Sequence, residues 1–415
     1  MYDYIIVGGG ITGLYALEQL HKKDKTKSIL LLDERNYWGG RLFTHKRPQY
    51  EVGGARFNDN HIILLSLIKK YKCHKIPLEN TKMFLHKNEE NIVIPFHEVN
   101  ATFETIMSIL IKKSAKYSKS FIQKHTMKQW IDFIFKNNTW SSKIIDIFGY
   151  DSEITKMNAY DSILSFKTDF ISKKFYVLQE GLSELCYRII LNHKDKRQIT
   201  CKLNSFVENI IEDNETNLYK IKTNNKTYCA NKLIIAVKCE QLKQFKLLKP
   251  IYPYLSFIHS SPLLRIYAKY NKVKGKVWFD QMPKIVTNSF LRQIIPIDYN
   301  SGLIMISYTD GDDIKPFLKN KSKMILKEDQ EICDMIQKEL HLLFPHKSIS
   351  KPYYFKTHLW TIGCHHWKPN CDSMTLYKKI KNPLKNIYVL GEAISQKQAW
   401  MEGGLETVND VIKYL

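Results

Sequence analysis

Hydrophobic and polar positions along the chain follow two different periods. Tyr4-Ile5-Ile6-Val7 and Ser28 to Leu32 are short apolar runs of strand length, and between them Leu14, Leu17 and Leu20 recur at helical spacing. The chain therefore opens as strand, helix, strand. Cys201 to Ile211 and Leu218 to Val237 alternate apolar and polar residues as paired strands do, and the apolar stretch Lys232 to Val237 closes the second run. Helical patterns cover Thr102 to Ile111 and Met127 to Phe135 within a Lys-rich stretch. A strand is predicted over Leu263 to Tyr270, with its pair ending near Val277-Trp278-Phe279. A last apolar strand, Ile387 to Leu390, precedes a helical pattern that runs to the end. No apolar run approaches the length of a membrane span.

At 415 residues the chain is long enough for two or three domains. Its start, Met-Tyr-Asp, leads straight into a strand without a basic leader, and its end follows a helix, so neither a signal peptide nor a tail anchor is expected. The eight cysteines, at 73, 186, 201, 229, 239, 333, 364 and 371, form no CxxC pair and read as reduced thiols of a soluble, cytoplasmic protein. The net charge is +22, and only eight of the 63 basic residues are Arg, leaving 55 Lys. A Lys bias of this kind follows either from an AT-rich genome or from a surface that binds polyanions. The field favours acidic partners, nucleic acid or anionic membrane, yet no base-reading motif accompanies it.

The chemistry begins at Gly8-Gly9-Gly10-Ile11-Thr12-Gly13, a G-x-G-x-x-G between the first strand and the first helix. Gly8 allows the tight turn, Gly10 lets backbone approach a pyrophosphate, Gly13 lets helix pack on strand, and the helix N-terminus offers N–H groups and a positive dipole. Ile11 and Thr12 complete the cradle. Asp33 lies twenty residues beyond Gly13, where a ribose-binding acid belongs. The loop alone does not choose between FAD and NAD.

The following residues do. Asp33-Glu34-Arg35-Asn36-Tyr37-Trp38-Gly39-Gly40-Arg41 resembles the second glycine motif of the FAD-dependent amine oxidase superfamily. Glu51-Val52-Gly53-Gly54-Ala55-Arg56-Phe57 is similar to its next element, and Gln179 to Leu185 to its glycine entry into a helix. Ile387 to Ala393 with Gly391-Glu392, then Ala399-Trp400-Met401-Glu402-Gly403-Gly404, resembles its C-terminal signature. The resemblance implies an α/β fold: a Rossmann-type FAD-binding domain in three pieces, 1–80, 171–244 and 371–415, with a mixed α+β substrate-binding domain made of a helical insertion, 81–170, and a sheet region, 245–370. It implies FAD contacts at Gly8, Gly10, Ile11, Thr12, Gly13, Asp33, Glu34, Arg35, Gly40, Arg41, Gly54, Ala55, Arg56, Phe57, Val207, Gly391, Glu392, Ala399, Trp400 and Met401. The activity implied is hydride transfer from a small-molecule amine to flavin, with reoxidation by O2 to H2O2.

On the substrate side, Trp400 matches one wall of the family's aromatic cage, and His365-His366-Trp367 would supply the other, with His365 and Trp367 facing substrate. Typical members carry a Lys where this chain has Arg265. Arg is bulkier, permanently charged and suited to carboxylate or phosphate. That departure leaves open a desaturase or porphyrinogen-type oxidase on the same scaffold, and the charge leaves open a non-catalytic flavoprotein that binds a polyanion. Cys364 is placed for a covalent link to flavin, but the loop after Trp360 is shorter than the family's. The His and Cys residues near it match no zinc spacing, so no metal is expected.

Overall fold

The computed structural model describes residues 1–79, 81–213 and 215–415. The chain divides into two compact units. Unit one is assembled from 1–78, 173–260 and 364–415, and unit two from 79–172 and 261–363.

Unit one is built on a seven-stranded sheet. Ile199–Lys202, Ile29–Leu32, Tyr2–Val7, Thr227–Ile235 and Ile387–Val389 run parallel, and the antiparallel strands Leu218–Thr223 and Val207–Asp213 extend one side. All four residues of Ile29–Leu32 are buried, because both faces of the sheet are covered. Ile6, Ile29, Leu31 and Ile234 pack with Leu14 and Leu17 of the helix Ile11–Lys23. Ile5, Val7, Leu30, Leu32, Leu233 and Ile235 face the other cluster, with Leu242, Leu248 and Ile380. A parallel sheet between two layers needs this continuous apolar run rather than alternation.

Two expected strands are resolved differently. The run 201–211 is split: Ile199–Lys202 joins the parallel sheet and Val207–Asp213 begins the antiparallel extension. The break has a cause, since the amides of Asn204 and Ser205 turn aside to donate to the carbonyls of Arg35 and Asp33. The run 218–237 likewise contains two strands, Leu218–Thr223 and Thr227–Ile235, folded back at Asn224-Asn225-Lys226. Residues 245–260, read from sequence with the sheet region, pack in unit one through Phe245, Leu248, Ile251, Leu255 and Ile258.

Unit two contains a second seven-stranded sheet, in the order Tyr354–Trp367, Ile258–Lys269, Leu303–Asp310, Gln293–Asp298, Lys284–Thr287, Lys82–Lys87 and Val93–Phe96. Its first two strands extend past the unit boundaries at 363 and 261. The predicted partner at Val277–Phe279 is not a strand. Lys274 and Gly275, both at positive φ, close a tight bridge from Val273 to Lys276, and Ile258–Lys269 pairs with Leu303–Asp310. The stretch expected to be helical begins instead with the hairpin Lys82–Lys87 and Val93–Phe96.

Helices follow where the pattern places them, at Val99–Ser114 and Met127–Phe135. Their contact is anchored by Trp130, whose indole N–H donates to Ser114 Oγ at 2.7 Å. Thr126 and Gln129 form a capping box at the second helix, each side chain accepting from the other's amide at 3.2 and 2.9 Å. Thr126→Ala leaves the Gln129 amide without its acceptor, and a loss of about 1 kcal/mol in urea unfolding is expected.

Candidate cofactor site

The glycine loop is shaped by what surrounds it. Gly8 has φ +106°, and a Cβ there would sit 2.3 Å from the Ala236 carbonyl oxygen. A Cβ on Gly13 would lie 1.9 Å from the Gly8 oxygen. Gly9, the variable position of the motif, is also constrained, because the Trp38 ring covers it and a Cβ would meet it at 2.4 Å. Gly10 differs. Its nearest neighbour to an added Cβ is the Gly39 oxygen at 3.9 Å, so that side of the backbone is open.

Gly10 is also the N-cap of the helix Ile11–Lys23, which has no side-chain cap and no acid in its first turn. Uncapped amides, a positive helix end and bare backbone together suit a phosphate group. Gly391 repeats the feature on the C-terminal segment: at φ +129° an added Cβ would meet no atom of the described residues within 4 Å. The residues present therefore fit a dinucleotide cofactor.

The predicted acid, Asp33, is buried beside the loop. Its carboxylate accepts from the Gly9 amide at 2.6 Å and the Arg35 amide at 2.8 Å. Burial raises its pKa, and these two amides oppose the rise. Glu34 is exposed and accepts from Gln241. The second glycine motif is tied to the first, since the Gly39 amide donates to the Gly9 oxygen at 2.9 Å. Arg35 donates to the Gly40 oxygen at 2.8 Å and hydrogen-bonds Tyr37, which holds the turn.

Arg41 reaches the C-terminal segment, with Nη1 2.9 Å from Glu392 Oε2. Glu392 is the hub of this region. Its Oε1 accepts from the amides of His365 and Ala399 at 2.9 and 2.8 Å, and its Oε2 from His365 Nδ1 at 2.7 Å. On its other side, His365 Nε2 lies 3.8 Å from Glu240 Oε2, and Glu240 also hydrogen-bonds Ser260.

Burial would raise the Glu392 pKa, but Arg41 and His365 hold it well below the usual carboxylate range. Burial likewise opposes charge on His365, and the two carboxylates overcome it and raise its pKa. Glu240, which burial pushes up, is brought down to about 2 by hydrogen bonds from His365 and Ser260. The set is thus an alternation of charges, Arg41, Glu392, His365 and Glu240, buried at Glu392 and His365 and partly exposed at its two ends.

Four of the expected site residues are buried. His365 is wholly buried in this charge chain. Trp367 is also wholly buried, its indole N–H donating to the Ser395 oxygen at 2.9 Å, and it packs in the core. Phe57 is core as well, with its ring centroid 6.0 Å from that of Tyr176. Val207 opens the antiparallel extension and is buried in the cluster shared with Leu233.

Trp400 is the N-cap of the helix Met401–Ile412. His61 meets its ring edge-on at 5.0 Å, and Phe175 stacks against it at 6.1 Å with an 18° interplanar angle. Arg56 lies over both rings, 4.9 Å from the Phe175 centroid and 5.9 Å from that of Trp400. Gly54 and Ala55 lead into it, and the Gly54 amide donates to the Arg41 oxygen at 3.0 Å. Glu402 accepts from the amides of Ile63 and Leu64 at 2.8 and 3.0 Å and so caps the helix Ile62–Lys70. An added Cβ on Gly404 would lie 2.4 Å from Thr12 Oγ1, which shows how closely the two ends of the chain approach. Sequence reasoning missed Gly9, His61, Phe175, Glu240 and Glu402. The third consecutive glycine was a usable sign for Gly9, whereas the others join only through the fold.

In unit two, Arg265 is buried on the strand Ile258–Lys269, opposite Tyr308. Its guanidinium carbon lies 4.6 Å from the Tyr308 centroid, and Tyr150 meets Tyr308 edge-on at 5.3 Å. Cys364 Sγ is 3.4 Å from His366 Nε2, and burial pushes the His366 pKa down to about 3, so this imidazole is neutral. Among the described residues no group of His, Cys, Asp and Glu is arranged to hold a metal ion, and no helix is long and apolar enough to cross a membrane.

Comparison with known proteins gives a consistent picture. The family described as flavin containing amine oxidoreductase matches residues 11–408. A probable flavin-containing monoamine oxidase A of Dictyostelium discoideum is 27% identical over 168 residues, 36% of this chain and 36% of that protein. A flavin-containing amine oxidase of Oncorhynchus mykiss is 33% identical over 88 residues, 20% of this chain and 16% of its own length. An uncharacterized protein of Acanthamoeba polyphaga mimivirus is 37% identical over 81 residues, 18% of this chain and 16% of that protein. The matched stretches thus span about a third or less of these relatives. A putrescine oxidase redesigned in its cofactor binding has the same fold, with a TM-score of 0.78 at 14% identity over 100% of this chain and 98% of that one.

Proposed function

The chain belongs to the family of flavin-containing amine oxidoreductases, and from that premise we propose that unit one binds FAD and that the protein oxidises a small-molecule amine with O2 as electron acceptor. The observation that carries the reading is the joining of three distant segments, 8–13, 33–41 and 391–402, into one hydrogen-bonded set. FAD, when bound, supplies a two-electron acceptor that takes hydride from the carbon bearing the amine and passes the electrons to oxygen.

The chain's own residues bind and orient. Gly10 and the uncapped amides after it receive the pyrophosphate. Asp33 keeps the loop closed and presents a carboxylate to the ribose. Arg41 and Glu392 hold Gly391 and Ala399 in place, and Ala399 at φ +65° sets the entry of Trp400 into its helix. The amide of Met401, at that helix end, offers a partial positive charge to an electron-rich ring edge. Trp400, backed by His61, is a rigid wall against which substrate is positioned.

The test is an absorption spectrum of the purified protein before and after acid precipitation, followed by anaerobic titration with primary and secondary amines. A yellow supernatant is expected, together with bleaching by at least one amine. A yellow pellet would mean covalent flavin and would point to Cys364. A colourless protein that FAD does not reconstitute would end the reading. Arg265, at the position where the family resemblance implies a Lys, favours one second reading, a flavin oxidase of the desaturase or porphyrinogen type. Bound FAD that no amine bleaches would support it.

A further inference from the structure

We propose that the helical part of unit two carries a binding surface for single-stranded nucleic acid, made by the exposed rings of Tyr117 and Phe133 and the lysines around them. The surface stands apart from the cofactor reading and needs neither flavin nor amine.

Three helices create it: Val99–Ser114, the short Lys119–Ile122 and Met127–Phe135. Five rings gather about the buried Trp130. Phe133 stacks on Trp130 at 5.2 Å with a 24° interplanar angle, and Tyr117 meets it edge-on at 5.2 Å. Phe121 and His125 close the group at 5.9 and 5.5 Å. Trp130 is pinned by its bond to Ser114 Oγ, and the Tyr117 amide donates to the Ser114 oxygen at 3.0 Å. The outer rings are therefore held from behind, yet they remain open to water: Tyr117 is 39% exposed and Phe133 42%.

The charge around them is of one sign. From 112 to 145 the chain has eight Lys and a single acid, Asp132. Lys112, Lys113, Lys116, Lys124, Lys128 and Lys136 are exposed, and among the described residues none of the six forms an ion pair. Elsewhere in the same unit the pattern differs, since Lys156 and Lys315 both pair with Asp312, at 2.9 and 3.0 Å. Lys113 Nζ lies 5.2 Å from the Phe135 ring centroid, which places the lysines ending the first helix beside the helix that carries Phe133.

Cations without counter-charges draw a polyanion. The rings narrow the choice, because they offer flat apolar faces between those cations. A single strand supplies both complements, a phosphate at every nucleotide and unpaired bases that stack on aromatic rings. A duplex keeps its base faces covered. An anionic membrane would satisfy the lysines, but insertion needs side chains that protrude, and Tyr117 and Phe133 are more than half covered and backed by Trp130.

The experiment measures fluorescence anisotropy with the full chain. Its probes are an oligo(dT) of about 20 nucleotides, longer than one such site needs, an abasic strand of equal length, and a duplex of equal length. Oligo(dT) is expected to bind about tenfold or more tighter than the abasic strand, which has the same phosphates and no bases. Tyr117→Leu with Phe133→Leu keeps apolar volume and removes the flat faces. It should lose most of that preference and leave abasic binding unchanged. Lys112→Gln with Lys116→Gln and Lys124→Gln should weaken both strands and lower the slope of log affinity against log salt by about 2, from about 0.7 per phosphate contact. Lys319→Gln with Lys321→Gln and Lys323→Gln removes the same charge from an exposed turn elsewhere and should change little.

Equal affinity for oligo(dT) and the abasic strand would overturn the proposal, as would tighter binding of the duplex. So would equal weakening by the two lysine sets, which would mean that only overall charge acts. Vesicles of phosphatidylserine and phosphatidylcholine that bind while oligo(dT) does not would assign the surface to a membrane and reject it. Flavin content and amine oxidation, read on the same samples, decide only the cofactor reading, so each conclusion stands or falls without the other.

Discussion

Glu392→Ala is expected to destabilise the protein by about 3–5 kcal/mol and to release the flavin. The carboxylate is buried and receives three hydrogen bonds and the Arg41 ion pair. Removing it takes away the carboxylate that most raises the His365 pKa, so the imidazole gives up its proton, and it leaves the Arg41 guanidinium without this partner and two amides stripped of their acceptor. Breaking one partner of a buried ion pair costs this much because the other partner stays desolvated. Glu392→Gln is expected to be nearly as damaging, since an amide nitrogen would oppose donors already in place. Urea unfolding measures the first effect, and the flavin-to-protein absorbance ratio the second. A Glu392→Ala protein of native stability that keeps its flavin would show that the charge chain has no structural role.

The same network gives stability a defined dependence on pH. The pKa of His365 is raised above its ordinary 6.5 in the folded protein. Its contribution is therefore complete below about 6.5 and is lost as pH rises through the folded value. Those of Glu392 and Glu240 are lowered from 4.5, the latter to about 2. Their contribution is complete above about 4.5 and is lost as pH falls through the folded values. The network as a whole should stabilise most between about pH 4.5 and 6.5. The stability difference between the native protein and His365→Asn, measured across pH, should peak in that window. In unit two the sign is reversed for Asp313, whose pKa burial raises to about 6 despite Arg292. Subtracting the variant curve from the native one removes that contribution.

Gly13→Ala is expected to cost about 3 kcal/mol or more, against the direction of helix propensity. On propensity alone, alanine within a helix gains about 1 kcal/mol over glycine. Here the new methyl carbon would stand 1.9 Å from the Gly8 oxygen and 3.0 Å from the Gly8 carbonyl carbon. Both are backbone atoms at the end of the central strand, so no side chain can turn away. The helix Ile11–Lys23 must lift from the sheet, which opens the packing of Leu14 and Leu17 against Ile6 and Ile29. Gly275→Ala is the control. It has φ +79° but no neighbour within 4 Å among the described residues, so only the backbone strain of about 1 kcal/mol applies. Thermal unfolding of the two variants separates the effects, and equal melting temperatures would remove the close-approach argument.

Part of this protein could be read residue by residue. The glycine loop, the acid at 33, the Gly-Gly-Arg turn and the Gly-Glu segment are local patterns, because each is a backbone conformation or a hydrogen-bond geometry that few residue types can adopt. The first strands and the helix Met127–Phe135 were legible for a similar reason: a buried strand is continuously apolar, and a half-buried helix repeats every three to four residues. The strand expected over 201–211 was not legible as two pieces. What divides it is the pull of the Arg35 and Asp33 carbonyls, more than 160 residues away in sequence.

The chain's own order of residues therefore determined the family, the cofactor loop and the elements on which the loop stands. Which side chains meet was decided only in three dimensions. His365 and Trp367 are two residues apart on one strand, yet one joins a chain of charges and the other the apolar core. Arg56, Phe175 and Trp400 are far apart in sequence and stack in space. The reason is physical: dihedral preference and hydrophobic period act over a few neighbouring residues, whereas burial, ion pairing and ring stacking depend on contacts that exist only after distant segments have packed.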